Sequence, residues 1–134
     1  CRGNAALELV ILAPALLALL CLVIAAGRTS VAEGSVAAAA RDAARQASLA
    51  RSPAVALWAA RSGAAAALAR DGLDCEPTVR VDVTGFWVPA GQPATVGATV
   101  TCRVSLADLI LPGVPGGRTL TATFRSPLDP YRGR

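Results

Sequence analysis

The sequence predicts an α+β protein: a long N-terminal helix whose first half spans a membrane, a second helix, and a small three-stranded antiparallel sheet. Three observations support this prediction. An uncharged apolar run comes first, an alanine- and arginine-rich stretch without strand character follows, and apolar and polar residues alternate after Gly72. The predicted segments are, in order, a processing region, a transmembrane helix, a helical region, a β domain and a C-terminal tail: 1–8, 9–27, 28–72, 73–125 and 126–134.

The apolar run extends from Leu9 to Gly27 without a charge. As a helix it is about 27–29 Å long, close to the thickness of the bilayer hydrocarbon. A buried core helix is disfavoured because so small a domain cannot easily surround a helix that is apolar on all sides. A cleaved secretory signal is the stronger alternative, since Ala25-Ala26-Gly27 offers small residues. Pro14 removes one intrahelical hydrogen bond and predicts a kink within the run.

The region after the membrane segment is predicted to hold two helices. Arg28 to Ala50 contains no proline and many alanines, so the first helix is expected to continue out of the bilayer. Its apolar stripe is predicted to consist of Val31, Ala38 and Leu49. Ser52-Pro53 is typical of a helix start, and Asp71-Gly72 of a helix end after Arg70.

The segment after Gly72 has the period of two that is typical of half-buried strands. The apolar positions of three predicted antiparallel strands are Val79, Val81, Val83; Val96, Ala98, Val100, Cys102, Val104, Leu106; and Leu120, Ala122, Phe124. One apolar and one polar face predict a sheet that covers one side of a helix.

Two cysteines lie in the predicted β domain, Cys75 before the first strand and Cys102 on the apolar face of the second. An exported domain favours a disulfide between them, and two free buried thiols are the alternative. Closing this loop is expected to stabilise the domain by about 3–4 kcal/mol on the chain-entropy model.

The composition argues against several function classes. The chain has no histidine, which removes the commonest general base and most zinc sites. It also lacks a CxxC motif, a glycine-rich phosphate loop and paired carboxylates. No catalytic residue, metal site or cofactor is therefore predicted. The arginines are scattered and aromatic residues make up only 4% of the chain, so nucleic-acid binding is disfavoured.

Glu8 stands directly before the apolar run. A carboxylate beside hydrocarbon is unfavourable by a few kcal/mol, so a chain that keeps one there marks a candidate functional position. The structural alternative is that Glu8 only favours the N-terminus of the helix through the macrodipole, by a few tenths to one kcal/mol.

The start of the chain, Arg2-Gly3-Asn4-Ala5-Ala6-Leu7-Glu8 followed by a proline-containing apolar helix, resembles the TadE/TadG family of tight-adherence pilus systems. The alanine/arginine helix and the Leu111-Pro112-Gly113 loop resemble actinobacterial members. The resemblance implies a pilin-like protein whose leader is cut between Gly3 and Asn4 by a prepilin peptidase. It makes Glu8 the fifth mature residue.

The resemblance also implies partners and a location. The expected partners are other pilin-like subunits, the prepilin peptidase, the inner-membrane assembly platform and membrane lipid. The expected location is the cell membrane, with one span and an extracytoplasmic C-terminal domain that is incorporated in a surface pilus.

Two alternatives use other residues of the chain. The first is a membrane-anchored binding domain whose Phe86-Trp87 loop contacts a partner or a wall component, although that loop can equally cap the sheet. The second is a lipoprotein acylated at Cys1, which is disfavoured because a second membrane anchor follows immediately.

Overall fold

The structure is a computed structural model that describes residues 2–131, with side chains from residue 6 onwards. Two long helices and one short helix combine with a three-stranded antiparallel sheet, which confirms the predicted fold class. The helices are α1 (Arg2–Ser48), α2 (Pro53–Arg70) and α3 (Leu106–Leu109), and the strands are β1 (Thr78–Asp82), β2 (Ala94–Ser105) and β3 (Gly117–Leu128). A 3₁₀ turn, Thr84–Trp87, follows β1.

Helix α1 is continuous for 47 residues and has two different halves. The first half is exposed on all sides, and the second half buries one stripe against α2 and the sheet. We call the end of the folded domain near Gly27 the proximal end, and the end near Ser48 the distal end. The buried stripe is made almost entirely of alanine: Ala32, Val36, Ala39, Ala40, Ala43, Ala44 and Ala47.

The predicted apolar stripe of α1 is wrong at its two large residues. Val31 is 70% exposed and Leu49 is 71% exposed, whereas most of the alanines between them are buried and Ala38 is half-buried. The physical reason is close approach: small side chains let a second helix and a sheet pack near the backbone of α1, and larger side chains do not fit there. The prediction chose the large apolar residues as the buried ones and so placed the buried face on the wrong side of the helix.

Helix α2 packs against α1 through its own alanines. Ala56, Ala60 and Ala64 recur every four residues and are fully buried. The two backbones are close at Gly63, where an added Cβ would lie 3.0 Å from Cγ of Gln46. Ser52 caps the helix by accepting a hydrogen bond from the Val55 amide at 3.4 Å, as the sequence predicts. The other end stops at Gly72, which has a left-handed φ of 69°.

The sheet has the order β1-β2-β3, with both neighbours antiparallel. Its inner face lies on the helices, and its outer face is rich in threonine. The hydroxyl of Thr99 pairs with that of Thr123 at 2.8 Å across β2 and β3. The buried inner positions of β2 are Val96, Ala98, Val100, Cys102 and Val104, as the period of two predicts.

Three strand ends differ from the prediction. Val83 lies outside β1, because the Asp82 carboxylate accepts hydrogen bonds from the amide and the hydroxyl of Thr84 and so begins a turn. Leu106 begins α3 rather than ending β2, since the Ser105 hydroxyl caps that helix. β3 runs three residues beyond the predicted end at Arg125, and it accommodates Pro127 because an edge strand leaves one side of its backbone unpaired.

The Cys75–Cys102 disulfide is present, as predicted. It joins the segment before β1 to the buried face of β2, with a Cα–Cα distance of 5.9 Å. Cys102 is fully buried, and Cys75 packs against the core from its edge. The bond therefore attaches the end of the helical region to the central strand.

Candidate assembly and processing site

The first half of α1 exposes a continuous apolar surface. The helix contains an 18-residue window that is long and apolar enough to cross a membrane, and no part of that window is buried in the molecule. This exposure excludes the core-helix alternative. The possible signal-cleavage region, Ala25 to Gly27, lies in the middle of the continuous helix. The large apolar residues exposed along this half are Leu7, Leu9, Val10, Ile11, Leu12, Leu16, Leu17, Leu19, Leu20, Leu22, Val23 and Ile24.

Glu8 lies on this apolar half with its side chain exposed. Among residues 6–131, no side chain forms a hydrogen bond or an ion pair with its carboxylate. The other glutamate of α1, Glu33, behaves differently, because it accepts a hydrogen bond from Arg118 at 3.0 Å. Of these two glutamates of α1, the one beside the apolar surface has no side-chain partner among residues 6–131.

Gly3 and Asn4 belong to the first turn of α1. Asn4 precedes Glu8 by four residues, so the two positions share one face of the helix and are separated by a rise of about 6 Å. Cleavage after Gly3 would place a new amino group one turn before the carboxylate. The side chain of Asn4 and the whole of Cys1 lie outside the described part of the chain.

Pro14 and Cys21 also lie on the exposed half. Pro14 is inside α1, and the helix continues through it. The predicted kink at Pro14 stays a prediction. Cys21 is a free and exposed cysteine.

Phe86 and Trp87 have different environments. Trp87 is 76% exposed, whereas Phe86 is half-buried and packs against the hydrophobic core. The turn that holds them depends on Gly85, where an added Cβ would overlap the carbonyl oxygen of Thr95. Only Trp87 is therefore available for a surface contact. It lies at the distal end, because the preceding Gly85 also contacts Leu128 at the end of β3, and it is remote from Glu8.

A groove at the proximal end was not predicted from the sequence. It has a volume of about 600 Å³ and lies between α1, the turn after α2, and α3. Its apolar walls include Val31, Val104 and Leu109, and three aspartates line it as well: Asp71, Asp74 and Asp108. The sequence contains one signal for it: no acid occurs in the arginine-containing stretch 43–70, and then Asp71, Asp74 and Glu76 follow within six residues.

Metal-ligating side chains do not cluster in the part of the chain that the structure describes. Within residues 2–131, no group of three or more histidine, cysteine, aspartate or glutamate residues is arranged to hold a metal ion. The three aspartates of the groove are thus not a metal cluster.

Comparison with known proteins gives one match. Residues 3–45 match the model of the family described as TadE-like protein, which covers Glu8, the exposed half of α1 and most of the buried stripe. No curated protein and no solved structure matches the chain. The matched residues include Gly3 to Glu8 and the apolar run, on which the resemblance to the TadE/TadG family rests. Together, the match and the N-terminal apolar helix fit a membrane protein related to tight-adherence pili.

Proposed function

We propose, starting from the TadE-like character of residues 3–45, that the chain is a minor pilin or pseudopilin of a Tad-type pilus or secretion assembly. The observation that supports this most strongly is the exposed apolar half of α1 with Glu8 at its start. A lipid-facing anchor alone needs no carboxylate at that position. In a helix that leaves the bilayer and packs against copies of itself, a carboxylate at that position can pair with a positive charge of a neighbouring copy.

Cleavage between Gly3 and Asn4 creates an α-amino group at the beginning of the helix. In an assembly, the Glu8 carboxylate of one copy pairs with this amino group of its neighbour. Each charge then has a partner within an apolar core, where an unpaired charge would be strongly unfavourable. The pairing also fixes the axial offset between neighbouring helices, since only one register brings the two groups together.

The partners follow from this function. A prepilin peptidase removes the leader, and an inner-membrane platform moves the subunit out of the membrane. Other pilin-like chains then bind it in the assembly. Residues 9–27 hold the subunit in the cell membrane before assembly, and the domain from Arg28 onwards lies outside the cytoplasm. In this proposal the chain acts by assembly and performs no catalysis.

The test replaces Glu8 with alanine. The substitution Glu8→Ala is expected to abolish incorporation into the sheared pilus fraction, because the neighbour's amino group loses its partner. The amount of protein in the membrane fraction should stay unchanged, since the apolar run is intact. Immunoblots of the membrane and sheared fractions from the native host measure both quantities.

Glu33→Ala is the matched control, because it removes a glutamate from the same helix. Glu33 pairs with Arg118 at the protein surface, so this variant should enter the sheared fraction like the wild type. Normal incorporation of Glu8→Ala, or an equal loss in both variants, would contradict the assembly role of Glu8.

A second candidate function is a membrane-anchored extracytoplasmic binding domain. The exposed Trp87 favours it, because tryptophan is enriched among residues that dominate binding interfaces. The same experiment separates the two functions through the variant Trp87→Ala. The binding-domain function predicts that the wild type, Glu8→Ala and Trp87→Ala all stay in the membrane fraction, and that only Trp87→Ala loses surface attachment.

A further inference from the structure

We infer that the proximal groove is a docking site for the distal end of a second copy of this chain. The inference rests on the proposed function and adds a second, head-to-tail contact to the helix contact at Glu8. Two surfaces at opposite ends of the domain carry it. One is the groove, and the other is the hairpin cap, which we define as Leu49, Arg51, Val55 and Trp58.

The groove is an apolar depression with an acidic lining. Ile24 and Val31 of α1 face Val104 and Leu109 across it. Three carboxylates and a single guanidinium, that of Arg28, line the same space. Its volume of about 600 Å³ falls in the range of about 300–1,000 Å³ that is usual for pockets that enclose a ligand. A suitable occupant combines apolar side chains with positive charge.

The hairpin cap has the complementary properties. Leu49 and Trp58 are each 71% exposed, and Val55 is 52% exposed, although each is a residue type that is normally buried or placed in an interface. Exposed arginines accompany them, and the stretch 43–70 contains no acid. Among residues 6–131, Arg51 of the cap takes part in neither of the ion pairs, Arg70–Asp42 and Arg118–Glu33, so its guanidinium is available to a partner outside the molecule.

The two surfaces cannot meet within one molecule. Val31 in the groove lies in the uninterrupted helix α1, and Leu49 in the cap directly follows the last residue of that helix, 18 residues after Val31. At the helical rise, this places them about 27 Å from each other along the axis. Contact therefore requires two copies that are offset by about this distance.

A contact between different surfaces of two copies leaves a free groove at one end of the pair and a free cap at the other, so it extends into a filament unless the rotation closes a ring. In a flat membrane all copies stand at the same height, and the contact cannot form. It becomes available when one copy is raised above the next. The groove is therefore occupied in an assembled subunit and empty in a subunit that is still in the bilayer.

The experiment uses cross-linking between two single-cysteine variants of the full chain. Both carry Cys1→Ser and Cys21→Ser and keep the Cys75–Cys102 disulfide, which does not react with maleimides. One carries Val31→Cys in the groove, and the other carries Leu49→Cys in the cap. Mixed in detergent, where the helices can shift along their axes, they should give a mixed dimer with a short bismaleimide. In lipid vesicles they should give none.

The control variant Thr121→Cys places an exposed thiol on the outer face of the sheet, away from the groove and the cap. Mixed with Leu49→Cys it should give about tenfold less dimer than the groove variant. Adding Arg51→Glu to the cap partner should lower the groove–cap yield about tenfold, because like charges then face each other. Adding Asp74→Arg to the groove partner should restore it. Equal yields from the groove and control positions, or no response to the charge changes, would overturn the inference.

Energy transfer is measured between processed copies, which begin at Asn4, carry Cys21→Ser and are labelled at Thr121→Cys. These copies have the amino group that the Glu8 contact needs, so energy transfer detects association through either contact. Energy transfer that Glu8→Ala abolishes, without a groove–cap cross-link, would overturn the head-to-tail contact alone. Loss of all energy transfer in the chain that retains Glu8 would contradict the proposed function as well.

Discussion

At the scale of single residues, function follows from which charges have a partner inside the molecule. Glu33 and Glu8 lie on one helix, yet only Glu33 has an arginine beside it. The sequence alone makes Glu8 a candidate functional residue, because an acid next to an apolar run is unfavourable without a partner, and its role stays a prediction. Asp71, Asp74 and Asp108 were not identifiable, because they reach one groove from two segments that are distant along the chain.

Asp82 gives a pH dependence that can be measured. The hydroxyl and the amide of Thr84 both donate hydrogen bonds to the Asp82 carboxylate. These bonds hold the pKa of that carboxyl below its ordinary value, and the hydroxyl has the larger effect. The native state therefore favours the ionised form. This stabilisation is present at neutral pH and is lost as the pH falls through the lowered pKa, below about pH 4.

The variant Asp82→Asn should remove this contribution at every pH. Thermal unfolding of wild type and variant is compared at pH 7 and pH 3, with the full chain in detergent. The wild type is expected to be the more stable protein at pH 7, and the difference is expected to shrink at pH 3. A difference of the same size at both pH values would contradict the role of the ionised carboxylate.

At the scale of elements, the pair α1–α2 depends on small side chains. Ala60 is fully buried in a contact that consists mostly of alanines. The substitution Ala60→Leu should lower the free energy of unfolding by about 1–3 kcal/mol, because the added methyl groups separate the two helices. Ala66→Leu, on the exposed side of the same helix, is the matched control and should change it by less than about 0.5 kcal/mol. If thermal unfolding shows the same loss of stability in Ala60→Leu and in Ala66→Leu, close packing at Ala60 is contradicted.

The elements themselves were largely predictable, and their faces and ends were less so. The period of two placed Val96 to Val104 correctly, because alternation directly reflects the two faces of a sheet. Periodicity did not identify the buried face of α1, since alanines are so frequent there that they occupy several faces. The strand ends at Asp82 and Ser105 depend on single side chains that bond to the backbone, and a hydrophobic pattern does not report such bonds.

At the scale of the whole molecule, the disulfide connects the helical region to the sheet. Its loop spans 27 residues, and reduction should lower the free energy of unfolding by about 3–4 kcal/mol. Unfolding of the full chain with and without a reducing agent measures this effect, and Cys21→Ser serves as a control that keeps the bond. An unchanged stability after complete reduction would contradict a structural role for the disulfide.

The molecule as a whole has an apolar helix for one environment and a compact domain for another. In the proposed function, the N-terminus decides whether α1 stays in the bilayer or enters a helical assembly, because cleavage after Gly3 would supply the positive charge that pairs with Glu8. The fold alone does not report this event. The pilin-type function therefore depends on a single peptide bond.

Mass spectrometry of the mature N-terminus, on protein isolated from the native host, tests this function most directly. The proposed function predicts a chain that begins at Asn4, with a free amino group one helical turn before Glu8. A chain that retains Gly3, or that begins at an acylated Cys1, would contradict it.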